Sequence, residues 1–246
     1  MRFTSDHTLD GGLREREFTL GDIPGILWTP PSLPSSSPTP LILLGHPGGQ
    51  ATMYPRLMGR AQRSAADGFA TATIELPGAG ERALLPDAEQ ARADLRQALS
   101  TGQPVDDIVD RLVLPLVERA VPEWQATLDA LVALPEIGGP VGFSGGVTAV
   151  GIRLALVDPR IAALGLFAGT FVPRAMLDDA RRLTTPLHVL LQWDDRGNDR
   201  QRALDLFDAF GSAEKTLQAN TGGHTGVPSF AGDDAARFFS RHLKGQ

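Results

Sequence analysis

Residues 139–156 read GPVGFSGGVTAVGIRLAL, and a change of pattern in the middle of this stretch decides the fold class. Its first part is a short apolar run bounded by glycine and proline, as a buried strand requires, and its second part carries apolar residues at helical spacing. Ser144 stands between the two, inside Gly142-Phe143-Ser144-Gly145-Gly146, a GxSxG pattern at a strand-to-helix turn. So sharp a turn is expected to strain its central residue, Ser144, and to exclude side chains at Gly142 and Gly146, where strand and helix converge. Gly145 is expected to turn its backbone N–H toward a substrate oxygen. A glycine-rich phosphate loop is the competing reading, but neither GxGxxG spacing nor a Walker Lys-Ser/Thr pair is present.

Outward from this stretch, strand-like and helix-like segments alternate. Strands are expected at 14–20, 25–29, 41–45, 69–76, 139–143, 161–167, 187–193 and 215–219, and helices at 54–67, 123–134, 147–157, 199–210 and 233–243. The alternation implies an α/β protein with a mainly parallel, doubly wound sheet covered on both faces. Ligands of such sheets sit at the carboxyl ends of the strands. The connector PPSLPSSSPTP at 30–40 is read as a loop, too early and too short to divide two domains. Residues 81–121 are too long for an ordinary loop and helical in content, so an inserted helical cap is expected there, within a single domain spanning 1–246. Leu112, Leu114, Leu116 and Val117 of that cap either line a pocket or pack the cap onto the sheet.

Acidic side chains outnumber basic ones by 29 to 23, for a net charge of −6, and 21 of the 23 basic residues are arginines scattered among the acids. No basic stripe is available to displace counterions from nucleic-acid phosphates. Cysteine is absent, which removes disulfides, thiolate nucleophiles and Cys-ligated metals. No run approaches the eighteen apolar residues of a membrane span, and the first twenty residues lack the apolar centre of a signal peptide. A cytoplasmic protein without nucleic-acid or membrane partners is expected, and a homodimer is compatible with the sequence.

A serine hydroxyl needs a general base, and that base needs an orienting carboxylate. Of the five histidines, His188 lies within an apolar strand, His242 on the terminal helix and His7 near the start. His224 sits in Asn220-Thr221-Gly222-Gly223-His224-Thr225-Gly226, just after the last expected strand and at the edge where Ser144 emerges. It is the candidate base. The carboxylate is expected from another strand end: strand 187–193 runs into Asp194-Asp195, whereas strand 161–167 runs into Ala168-Gly169-Thr170. Both aspartates are candidates, and either gives the chain order Ser, Asp, His.

These residues resemble the α/β-hydrolase superfamily, most closely its dienelactone-hydrolase-like bacterial serine hydrolases and esterases. The resemblance runs from Leu41 to the chain end and includes Gly45-His46-Pro47-Gly48-Gly49, similar to the His-Gly oxyanion loop, and Glu75-Leu76-Pro77-Gly78-Ala79-Gly80. It implies a hydrolase without cofactor or metal that cleaves a small-molecule carboxylic ester or lactone through an acyl-enzyme. Ser144 would attack, His224 would carry the proton and Asp195 would orient the imidazole. In the family the acid follows by three a strand-end position usually held by glycine; Gln192 stands there, which favours Asp195 over Asp194. The implied oxyanion donors are the N–H groups of Gly48, with Gly49 as second choice, and Gly145. Pro47 stands where the family has glycine and has no N–H to donate. His46 is expected to bond the backbone and shape its loop. The same triad could serve a thioesterase or a peptidase, and a binding module that kept the fold without the chemistry is a further alternative.

Overall fold

A computed structural model of the chain describes residues 1–31 and 38–245. Most of the loop expected at 30–40 lies outside the described residues, and its far end, from Thr39, already belongs to a strand.

The strands are β1 (Arg2–Phe3), β2 (His7–Thr8), β3 (Arg14–Leu20), β4 (Ile23–Thr29), β5 (Thr39–Gly45), β6 (Ala70–Ile74), β7 (Ile137–Gly145), β8 (Ile161–Phe167), β9 (Leu187–Gln192) and β10 (Lys215–Asn220). They form one sheet in the order β1-β3-β4-β6-β5-β7-β8-β9-β10, with β2 beside β3. From β6 to β10 the pairs are parallel, and β4, β3, β1 and β2 extend the sheet antiparallel. The helices are α1 (Gln50–Ala66), α2 (Ala88–Thr101), α3 (Asp106–Val132), α4 (Thr148–Val157), α5 (Met176–Arg182), α6 (Arg200–Ala209) and α7 (Ser229–Lys244). Among the described residues no helix is long and apolar enough to cross a membrane.

β5 shows why the central strands read as continuous apolar runs. Leu41 and Leu43 join a core that contains Val117 and Trp124 of α3 and Ile152 of α4, whereas Ile42 and Leu44 join a second core with Leu57 of α1 and Phe238 of α7. Side chains alternate along a strand, so a sheet covered on both faces needs apolar residues at every position.

The segment expected as a cap is built differently at its second half. α3 does not stop at Val121 but runs for 27 residues through Pro115 and Pro122, absorbing the helix expected at 123–134. Each proline removes one backbone hydrogen bond. The helix persists because Val109, Val113, Val117, Val121, Trp124, Leu128 and Leu131, at spacings of three and four, form one buried stripe across both prolines. Val117 is buried within the main core, and Leu112, Leu114 and Leu116 pack against that core. These four residues therefore hold the segment to the sheet.

On α1, Tyr54 donates its hydroxyl to Glu15 Oε2 at 2.8 Å, and the same oxygen accepts from Trp28 Nε1 at 2.6 Å. Burial, reinforced by the hydrogen bond to that carboxylate, pushes the phenol up from 10.0 to about 12. A phenol that the fold keeps protonated contributes stability that is intact below about pH 10 and is lost as the pH rises toward 12. Tyr54 is the sole tyrosine, so a phenolate-absorbance titration of the native protein reads it alone. The midpoint is expected near 12 and should fall toward 10 in Glu15→Gln; a native midpoint already at 10 would contradict the buried pairing.

Candidate active site

β9 ends at Gln192, and Asp195 N–H bonds back to Gln192 O at 3.3 Å. This turn carries the Asp195 side chain inward, where the residue is only 8% exposed. Its Oδ1 accepts from Gly197 N–H at 3.0 Å, and its Oδ2 lies 2.6 Å from His224 Nδ1. A carboxylate on Nδ1 fixes the proton there and leaves Nε2 free to act as a base. His224 itself is exposed, with its ring edge-on to Phe167 at 5.1 Å between centroids. The loop that carries it is anchored: Gln192 Nε2 donates to Gly223 O at 3.1 Å, and Gly222 N–H donates to Asp194 Oδ2 at 3.0 Å. The two candidate acids thus differ in what they touch. Asp194 is exposed and holds the loop, while Asp195 is buried and holds the imidazole.

Ser144 is the penultimate residue of β7 and not the centre of the turn. β7 continues through Gly145, and the register pairs Ser144 with Leu44 on one side and Gly165 on the other, so the serine is part of the sheet. The positive φ values of the turn fall on Gly145 (75°) and Gly146 (77°), not on Ser144. The reason is steric. Glycine enters the left-handed region freely whereas a residue with a Cβ loses about 1–2 kcal/mol there, so a turn with two glycines forms on the glycines. The expectation of a strained Ser144 is corrected accordingly. The expected need for glycine on either side holds: a Cβ at Gly142 would lie 2.8 Å from the Phe239 ring, and one at Gly146 would lie 2.7 Å from Gly45 Cα.

Alternation along β7 then sorts the side chains. Phe143 faces the α3 side, where its ring meets Trp124 edge-on. Ser144 borders a cavity of about 130 Å³ together with Arg60, Gly232 and Phe239, between α1 and α7. His224 packs on Phe167, two residues or about 7 Å further along β8 than the Gly165 that Ser144 faces. Among the described residues, the bond from His224 to Asp195 has no counterpart from His224 to Ser144.

Arg60 explains how the turn is held. Its Nη1 donates to Gly45 O at 3.0 Å and its Nη2 to Ser144 O at 2.6 Å, tying the ends of β5 and β7 together. Burial strips water from this guanidinium and pulls it down to about 10. It stays charged at neutral pH. Gly145, one of the two expected oxyanion donors, presents its Cα to this group, and a Cβ there would lie 3.0 Å from Arg60 Nη2.

β5 delivers the other expected donor to the same edge. His46 is buried, with Nδ1 2.6 Å from Gly48 O and Nε2 2.9 Å from Ile74 O, and desolvation lowers its pKa. It shapes the loop, as expected. Among the described residues the amides of Gly48 and Gly49 donate to no protein group. Gly49 is the N-cap of α1, so both amides stand at the positive end of a 17-residue helix. Gln50 N–H, next in line, donates to Glu75 Oε1 at 2.9 Å and Oε2 at 3.1 Å. A Cβ at Gly80 would lie 2.3 Å from that carboxylate, which gives the 75–80 stretch a structural reason. Among the described residues no group of three or more His, Asp or Glu is arranged to hold a metal.

Neither a protein-family model nor a curated protein matches the chain. Among solved structures it is similar to a PEG-bound complex of a novel cold-adapted esterase from an Arctic intertidal metagenomic library, at 26% identity and TM-score 0.74 over 99% of this chain and 100% of that one. It is also similar to dienelactone hydrolase from Anabaena variabilis, at 16% identity and TM-score 0.59 over 97% and 98% of the two chains. The chain has the α/β-hydrolase fold. Acetyl xylan esterase from Paenibacillus sp. R4 shares this fold at 15% identity and TM-score 0.66, over 98% of this chain and 88% of its own. Of the residues singled out in the sequence, Asp195, His224 and Gly48 gather at one edge of the sheet. Ser144 and Gly145 reach the end of β7 but face Arg60 and α7.

Proposed function

We propose that the chain hydrolyses carboxylic esters. The Asp195–His224 pair carries this assignment, standing at 2.6 Å at the carboxyl edge of a fold shared with a cold-adapted esterase. His224 Nε2 is the general base and Asp195 orients it. Ser144 is the nucleophile, and the β7–α4 turn brings it into play by moving the positive φ from Gly145 to Ser144, which aims Oγ out of the sheet. The left-handed φ alone costs Ser144 about 1–2 kcal/mol, the Arg60 bond to its carbonyl is given up besides, and a substrate that binds only the rearranged form supplies the bias. Oγ then attacks the ester carbonyl and its proton passes to His224, which returns it to the departing alcohol. Water attacks the acyl-enzyme with the same histidine as base, releasing the acid and restoring the serine. The N–H groups of Gly48 and Gly145 hold the oxyanion.

The in-sheet position of Ser144 favours a second reading: a module that keeps the fold and binds a ligand without turning it over. Treatment with a fluorophosphonate followed by peptide mass spectrometry separates the two. Hydrolysis requires an adduct on Ser144 of the folded protein that disappears in His224→Ala. Folded wild-type protein that stays unlabelled supports the binding module instead.

A further inference from the structure

Ester hydrolysis leaves the acyl group undefined, and a second cavity bears on it. On the α3 side of the sheet, at the carboxyl ends of β8 and β9, a cavity of about 230 Å³ is walled by Val109, Ala168, Phe171, Val172, Leu177 and Ala203. Its walls lie next to the Asp195–His224 pair at two places. Gly169, the residue after Ala168, would place a Cβ 3.0 Å from His224 Cε1. Asn198, which also borders the cavity, donates its backbone N–H to Asp195 O at 3.2 Å.

The side-chain donors around this space are already engaged. Thr170 Oγ1 donates to Thr148 Oγ1 at 3.0 Å, and Thr148 Oγ1 donates onward to Phe167 O at 3.0 Å. Asn198 Nδ2 donates to Ala168 O at 2.5 Å. At the rim each cation has its own acids: Arg202 pairs with Asp106 and Asp199, and Arg174 pairs with Asp107 at 2.7 Å and Asp110 at 3.7 Å. An anion entering here would lose its hydration and meet no cation without an acid of its own. The same ion pairs fasten the first turn of α3, which carries Val109, across the cavity as a roof.

We propose that this cavity is the acyl subsite of the enzyme and takes a short, neutral aliphatic acyl group. The assignment rests on the ester hydrolysis proposed above. At about 230 Å³ the cavity is smaller than the roughly 300 Å³ at which pockets for drug-sized ligands begin, which bounds the length of chain it can take.

The test compares kcat/KM for p-nitrophenyl acetate, butyrate, hexanoate and octanoate, and for mono-p-nitrophenyl succinate, in wild type, Ala203→Phe and Val109→Ala. One methylene in an apolar pocket changes kcat/KM by about 10- to 200-fold. Wild type should favour butyrate over octanoate and over the charged succinate, each by about tenfold or more. Ala203→Phe fills the space and should lower the butyrate-to-acetate ratio by about tenfold, while Val109→Ala enlarges it and should move the optimum to longer chains. Melting temperatures confirm that both variants are folded. Unchanged ratios in folded variants overturn the subsite and leave hydrolysis standing. If wild type cleaves none of these esters, hydrolysis falls and the cavity is read by butyramide alone. A melting temperature that rises with butyramide in wild type but not in Ala203→Phe then keeps the neutral subsite; no rise in either protein overturns it.

Discussion

Ser144→Ala is expected to lower turnover of p-nitrophenyl acetate by about 10⁴-fold or more, because only binding and the oxyanion donors remain to act on the substrate. The fold should be unaffected. Arg60 holds the carbonyl of Ser144, not its hydroxyl, so alanine keeps β7, the Gly145–Gly146 turn and the link between β5 and β7. Turnover is measured beside the melting temperature, and a variant that keeps a tenth of wild-type turnover would remove Ser144 from the mechanism. A water molecule or another hydroxyl activated by His224 would then have to be the nucleophile.

Asp195→Asn should cost about 10³- to 10⁴-fold in the same assay, since an amide at Oδ2 can present an N–H to the imidazole and reverse its tautomer. Asp194→Asn should cost far less. The amide introduced by that substitution would still offer an oxygen to Gly222 N–H, the contact that Asp194 makes at 3.0 Å. Measuring both variants on one substrate separates an acid that orients the base from an acid that anchors its loop, and the opposite ranking would show that the loop contact matters more than the short bond at Nδ1.

How far the sequence could be read depended on whether a signal was local. The run Leu41 to Leu44 marked a central strand because burial on both faces leaves no polar position to confuse it. The meeting of Asp195 with His224 was legible because each follows the end of a strand, and a parallel sheet brings its strand ends to one edge. The turn after β7 was misjudged for a physical reason: GxSxG does not specify which residue takes the positive φ, and two glycines in succession compete with the serine for it. α3 was cut at Pro122 because a proline is a local stop signal, whereas the stripe from Val109 to Leu131 that overrides it is a property of the folded core. α5 has seven residues, too few for a helical period to stand out. Arg60 and Asn198 had no signal at all, since a lone polar residue acquires its meaning only from what lies opposite.

The strand order sets a delay in the birth of the molecule. Leu43 of β5 pairs with Phe143 of β7, one hundred residues later, so at about 5–20 residues per second the ribosome takes roughly 5 to 20 s to supply the partner. The β3–β4 hairpin, whose strands are separated by two residues, can close long before that. β5 meanwhile exposes one apolar edge of unpaired backbone, the kind of surface on which nascent chains aggregate or recruit chaperones. The arrangement that lets several strand ends converge on one active-site edge therefore also leaves the centre of the sheet open along one side until more than half of the chain has been synthesised.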